Sequence, residues 1–186
     1  MFTKQMKKVA DVLIEKEISK SEHKDLVVYG LSAGIELVFN IITTILLGFL
    51  FGLILESIVF LISFSFLRTY AGGYHCQKAI NCYLTSNGIM VLVMAIVKFT
   101  PKEHIIIIGC ILLLMSIPVL LKFAPMETPS KPLNQDERKY YRKKVVVHLG
   151  IECAVIPILF WTGLHNFSFV VCLGIVVSAY LVFAQK

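Results

Sequence analysis

The chain has 186 residues, 57% of them hydrophobic and only 16% charged, with a mean hydropathy of +0.79 and a formal net charge of +6. An ordinary soluble domain carries charge on about a quarter of its residues. The apolar runs here are too many and too long for one globular core, so they need lipid. The composition predicts an all-α polytopic membrane protein in a single integral-membrane domain over 1–186.

At the N-terminus, no short apolar core precedes a small-residue cleavage site, so the pattern is not that of a secretory signal. Instead, "FTKQMKKVADVLIEKEIS" carries Phe2, Met6, Val9, Leu13 and Ile18 at roughly helical spacing. Lys4, Lys7, Lys8 and Lys16 fall mostly elsewhere on the wheel. Residues 1–24 therefore read as an amphipathic helical arm on an anionic membrane face, or as one packed on the protein's own cytoplasmic side.

Six apolar runs follow. They are "LSAGIELVFNIITTILLGFLF", a turn at Gly52, "LILESIVFLISFSFL", "YLTSNGIMVLVMAIVKF", "HIIIIGCILLLMSIPVLL", "VVVHLGIECAVIPILFW" and "FSFVVCLGIVVSAYLVF". Several fall short of the ~20 residues of a perpendicular span, so tilt or local thinning is expected. With the N-terminus inside, the arm, the 68–86 segment, the polar loop 122–144 and the C-terminus all face the cytoplasm. Those segments hold 16 of the 18 Lys and Arg, all except Lys98 and Lys102. Positive-inside bias fixes that orientation. The basic excess thus reflects topology and contact with lipid headgroups, and nucleic acid is not implied. No phosphate-binding glycine loop and no repeat interrupts the chain.

Between the second and third runs, "RTYAGGYHCQKAINCYLTS" (68–86) gathers Arg, paired Gly, His and two Cys, residue types that are costly beside lipid. Cys110, Cys153 and Cys172 lie in apolar runs and read as small buried hydrophobes. Cys76 and Cys82 belong to a reducing, cytoplasm-facing segment, where a structural disulfide is not expected. Three readings fit the motif. The first is a polar interfacial loop, with Arg68 snorkelling to phosphates and His75 solvated. The second is a metal site of His75, Cys76 and Cys82, whose spacing matches no common zinc pattern, so no metal is expected. The third is a Cys–His pair in which imidazole draws the thiol proton and the thiolate attacks a carbonyl.

Geometry constrains that pair. His75 and Cys82 are seven residues apart, about 10.5 Å of rise in a straight helix, too far for direct contact. The backbone is expected to bend or unwind between them, or His75 to precede the helix. Gly72 and Gly73 supply freedom just upstream. Asn81 is expected to cap a helix whose first turn holds Cys82, where the positive end of the dipole favours a thiolate.

Arg68, Ala71-Gly72-Gly73, His75 and Cys82, set between short apolar spans, resemble the accessory gene regulator B (AgrB) family of Gram-positive bacteria. The basic amphipathic start, the six apolar segments and the polar loop "APMETPSKPLNQDERKYYRKK" extend the resemblance over the whole chain. It implies an integral-membrane cysteine endopeptidase without cofactors, which processes a quorum-sensing propeptide of the AgrD type in the bacterial cell membrane. His75 would then be the catalytic histidine and Cys82 the catalytic cysteine. Arg68, Gly72 and Gly73 would be supporting motif positions, while Cys76 matches no family role. In such chemistry Cys82 attacks the carbonyl at the junction with the precursor's acidic tail and forms a thioester. The peptide's own thiol or hydroxyl then closes a (thio)lactone ring, with His75 as base and then acid.

A third partner or oxyanion donor is expected among Glu36, Gln77 and Asn81, or a backbone N–H. Glu36 and Glu152, the latter one turn after His148, are ionisable groups inside apolar runs, which marks them as functional suspects, as mutually paired groups or as residues at the interface. The basic loop would either attract an acidic precursor tail or serve topology alone. A homo-oligomer is compatible with such a chain. The alternative function is a small-peptide or small-molecule transporter, whose polar residues would line a path.

Overall fold

The computed structural model describes residues 9, 11, 12, 24–73, 79–127 and 133–185. Among them are six long helices and no strand: α1 Lys24–Phe51, α2 Ile54–Ala71, α3 Ala79–Phe99, α4 Ile105–Phe123, α5 Gln135–Trp161 and α6 His165–Phe183. All six are long and apolar enough to cross a membrane, so the chain is an all-α polytopic membrane protein. An α-helix satisfies its backbone groups internally, which lipid requires of any exposed segment. Most of the arm lies outside the described residues, although Val9, Asp11 and Val12 are helical and Asp11 pairs with Lys24.

Inter-residue contacts divide the chain into two compact units. One comprises 1–43 and 76–87, the other 44–75 and 88–186. In the first unit, Val28 packs with Val27, Leu31 and Ile35 along α1. Thr43 Oγ1 meets the Tyr83 hydroxyl at 2.6 Å, pinning α1 to the start of α3.

The second unit is built around α6. This helix packs on α2, α4 and α5, and twelve of its nineteen residues are buried, including an unbroken run from Ser168 to Ile175. Packing rather than composition accounts for this burial, since the more apolar α4 is far less buried. Small residues let its neighbours approach. A Cβ added at Gly174 would meet Ser63 Oγ of α2 and come within 3.2 Å of the Ser63 Cβ. One apolar cluster joins Leu53, Phe60, Met90, Met94, Ile105 and Phe169. A second joins Leu67, Leu120, Val145, Leu149 and Ile175.

The expected turn after the first apolar run is present. Gly52 has φ +72°, a left-handed conformation that glycine adopts without steric cost. The Leu53 amide donates to the Gly48 carbonyl at 2.7 Å and closes the turn. The expected polar loop 122–144 is only partly a loop. From Gln135 onward it is already helix, continuous with the fifth apolar run. Asn134 Oδ1 accepts from the Glu137 amide at 2.8 Å, and the Glu137 carboxylate accepts from the Asn134 amide at 3.0 Å. This reciprocal capping box starts the helix ten residues before the apolar run and raises the basic residues onto an exposed helical extension.

The approach at Gly174 makes a stability prediction. Gly174→Val should destabilise the fold by about 1–3 kcal/mol through overpacking, measured by equilibrium unfolding in mixed micelles. Gly150→Ala, where an added Cβ meets only open space, should change stability by no more than about 0.5 kcal/mol.

Candidate functional site

The two halves of the 68–86 motif belong to different units. The upstream half closes α2. A helix leaves its last carbonyls without intrahelical partners, and at the end of a membrane span these must find donors. The Gly72 amide takes the Arg68 carbonyl at 3.2 Å, and the Arg68 side chain, in the last turn of α2, serves the two carbonyls just past the helix: Nη1 donates to the Gly72 carbonyl and Nη2 to the Gly73 carbonyl at 3.1 Å. A planar guanidinium donates to two successive carbonyls from one rigid fork, which a lysine ammonium does not reproduce. The first reading of Arg68, a side chain snorkelling to phosphates, is thereby replaced.

The two glycines are required by this geometry. Gly72 has φ +69° and Gly73 φ +116°, both in the left-handed region. Space excludes a side chain as well. A Cβ at Gly72 would press on the Met126 backbone, and one at Gly73 would lie 2.9 Å from the Leu181 carbonyl. The turn is clasped from outside by the loop that follows α4. There the Met126 amide donates to the Ala71 carbonyl at 2.9 Å, after a cis Ala124–Pro125 bond. Gln185 Nε2 donates to the Glu127 carbonyl at 2.9 Å, and Arg138 pairs with the Glu127 carboxylate at 3.5 Å. The end of α2, the 124–127 segment, the end of α6 and the basic start of α5 thus converge at one end of this unit.

The downstream half opens α3. Asn81 is the third residue of this helix as described and Cys82 the fourth. Asn81 is therefore already helical and does not act as a cap, which corrects the expectation from sequence. Asn81 is exposed, whereas Cys82 is half-buried. Its neighbour Tyr83 makes the contact to Thr43, and Asn87 Nδ2 donates to the Tyr83 carbonyl at 2.8 Å. On α1, Asn40 Nδ2 donates to the Glu36 carbonyl at 2.9 Å. The half-buried Glu36 carboxylate makes no hydrogen bond or ion pair among the described residues. Cys82, Cys110, Cys153 and Cys172 are thiols. His75, Cys76 and Gln77 lie outside the described residues, and with them the expected bend between His75 and Cys82. No group of three His, Cys, Asp or Glu suited to a metal occurs among the described residues.

Sequence reasoning missed the clasp. Met126, Glu127, Leu181 and Gln185 carry no motif: Met126 and Leu181 act through backbone atoms, Gln185 through its side-chain amide and Glu127 through both its carbonyl and its carboxylate. It also left Glu152 without its partner. Ser63 Oγ donates to Glu152 Oε1 at 2.9 Å between α2 and α5.

The clasp generates a prediction that needs no activity assay. Gly73→Ala should cost about 1–3 kcal/mol of backbone strain. Arg68→Lys should lose the two-carbonyl fork while keeping its charge. Both should speed amide hydrogen exchange in peptides covering 68–73 and 124–127, and leave 168–175 unchanged. If Arg68 served topology alone, Arg68→Lys would change none of them.

Comparison with known proteins places the chain. The sequence profile described as accessory gene regulator B matches residues 6–183. An AgrB-like protein of Clostridium perfringens (strain SM101 / Type A) is 30% identical over 168 residues, covering 83% of this chain and 78% of its own. A second from Clostridium perfringens (strain 13 / Type A) is 30% identical over 77% of this chain and 72% of its own. One from Listeria monocytogenes serotype 4b (strain CLIP80459) is 31% identical over 75% and 69%. No solved structure matches. A six-span helical chain that clasps an Arg–Gly-Gly turn just before a His and a Cys, and that this profile matches almost end to end, belongs to the accessory gene regulator B family.

Proposed function

We propose that this chain is a membrane cysteine endopeptidase that removes the C-terminal tail of an AgrD-type propeptide and promotes its cyclisation to a (thio)lactone. Family membership ties it to accessory gene regulator peptide processing in quorum sensing. The observation that carries the finer reading is the turn at Gly72–Gly73, fixed by Arg68 and locked by Met126, immediately upstream of His75. A catalytic base benefits from a fixed backbone beside it, and two glycines in left-handed conformations that external contacts reserve for glycine support that reading.

In this reading His75 takes the Cys82 proton and the thiolate attacks the carbonyl carbon at the tail junction. The tetrahedral oxyanion collapses as the C–N bond breaks, and His75 returns the proton to the leaving amine. The tail departs and the peptide remains as a thioester on Cys82. The peptide's internal thiol or hydroxyl, deprotonated by His75, attacks that thioester. The C–S bond to Cys82 breaks and the thiolate recovers its proton, so the cycle balances without cofactor or metal. A site at the membrane edge, poor in water, favours ring closure over hydrolysis. Asn81, exposed beside Cys82, and Gln77 are candidate oxyanion donors, and Glu36 on α1 a candidate orienting group.

The propeptide, the lipid and the orientation complete the proposal. Both termini, the 68–86 segment and the basic 122–144 region face the cytoplasm of a Gram-positive cell, because 16 of the 18 basic residues then lie inside. The alternative, a small-peptide or small-molecule transporter, is separated from this reading by the variants that test it, since transport gives no reason for Cys82→Ser to abolish activity.

Two experiments test this. Purified variants in lipid are incubated with propeptide, and the released tail and enzyme–peptide thioester are followed by mass spectrometry. Cys82→Ala and Cys82→Ser should abolish both products, and His75→Ala should reduce them at least a hundredfold, the usual scale of acid–base catalysis. Cys76→Ser should retain substantial activity. An adduct on Cys76, or cleavage by Cys82→Ala, would overturn the assignment. For orientation, single cysteines at 78 and 139 on a Cys-free background should resist an impermeant thiol reagent added to intact cells. Labelling of either from outside would reverse the topology.

A further inference from the structure

Glu152 is a residue that the proposed chemistry leaves unused. It is 8% exposed, and while Oε1 accepts from Ser63, Oε2 is buried and has no hydrogen-bond partner among the described residues. A carboxyl oxygen left unpaired in apolar surroundings is costly, and such residues inside membrane spans mark sites. Glu152 lines a cleft of about 320 Å³ between α2 and α5, together with Val59, Ser63, Phe66 and His148. The His148 ring is stacked against Tyr70 at 5.1 Å and against Phe66 at 5.7 Å, which fixes that wall of the cleft. Ile62, Phe66 and Ile151 at the rim are each more than half exposed, so the cleft opens sideways on this unit. Ser63 lies midway along Ile54–Ala71, which puts the carboxyl near mid-depth of the span.

We propose that this cleft is a docking site for a transmembrane helix of another polypeptide that presents one carboxamide or hydroxyl side chain at mid-depth. Depth selects a helix over a lipid, because a headgroup stays at the interface while a membrane-crossing segment carries a polar group to the centre. Size selects a side chain. The volume is at the lower end of the range for ligand pockets and admits a side chain while its helix rests on the apolar rim. Chemistry selects Asn, Gln, Ser or Thr, whose amide or hydroxyl groups both donate and accept and so satisfy Oε2 whether the carboxyl is ionised or protonated. Such side chains hold helices together in lipid.

The protein supplies its own probe. Trp161 is the sole tryptophan, 91% exposed, and nine residues beyond Glu152 on the same helix, about 13.5 Å of rise away. The full chain is reconstituted in vesicles with a leucine-rich transmembrane peptide bearing a terminal dansyl acceptor and either a central Asn or a central Leu. The Asn peptide should quench Trp161 at about 3- to 20-fold lower peptide-to-lipid ratio, the effect of one interhelical hydrogen bond in lipid. Glu152→Gln should keep that preference and Glu152→Leu should abolish it. A second measurement uses only the wild-type chain: the Asn peptide should slow modification of Glu152 by dicyclohexylcarbodiimide, and the Leu peptide should not. Equal quenching by both peptides, a preference that survives Glu152→Leu, or equal or absent carbodiimide modification with the two peptides would each overturn the proposal. So would energy transfer between labelled copies of this chain that depends on Glu152 and excludes the Asn peptide, since the cleft would then belong to a second copy.

Discussion

Where α2 ends, the backbone turns sharply and its carbonyls are taken by groups from its own last turn and from a distant loop, and that arrangement organises one end of the larger unit. Arg68 takes the carbonyls of Gly72 and Gly73, and Met126 takes that of Ala71. Both solutions demand close backbone approach, which is why the two residues after the helix have no side chains. Once the turn is set, the loop after α4, the end of α6 and the start of α5 gather around it through Met126, Leu181, Gln185 and the Glu127–Arg138 pair. One backbone accounting requirement thereby gives the motif its shape.

The same logic operates within the spans. Helix α6 is enclosed by three others, and its packing depends on small residues where side chains would otherwise collide. Gly174 brings α6 against Ser63, and Ser63 donates to Glu152. Three helices therefore meet where one hydroxyl has both a packing and a polar duty. Helix association in lipid has little hydrophobic drive and relies on close packing with a few hydrogen bonds. A single residue with two such duties is an economical junction, and among the described residues it leaves one Glu152 oxygen unpaired.

Among the described residues of the first unit, the polar contacts include Asn40 to Glu36, Asn87 to Tyr83 and Thr43 to Tyr83. Cys82 sits half-buried beside the last of these, on a helix start that the Thr43–Tyr83 contact ties to α1. In the second, polar groups are fixed by several elements at once, and the Arg68 turn is held from both sides.

The sequence by itself determined the number of spans, their order and the turn at Gly52, because apolar run length and a glycine between two runs are local properties. It also singled out Arg68, Gly72 and Gly73, because charge and flexibility are conspicuous within an apolar chain. What it did not carry is what those residues do. The targets of Arg68 are backbone carbonyls, and the atoms that exclude a Cβ at Gly72 and Gly73 belong to residues 126 and 181, far away in the chain. Backbone atoms are the same in every residue, so no pattern of side chains announces them. Asn81 was misread as a cap because local chemistry favours it there, whereas the helix already runs through it. The basic stretch read as a loop became helix because Asn134 and Glu137 cap one another ten residues earlier than hydropathy alone begins the span. The partner of Glu152 likewise came from packing, since only the approach of α2 at Gly174 brings a serine 89 residues away within 2.9 Å of it.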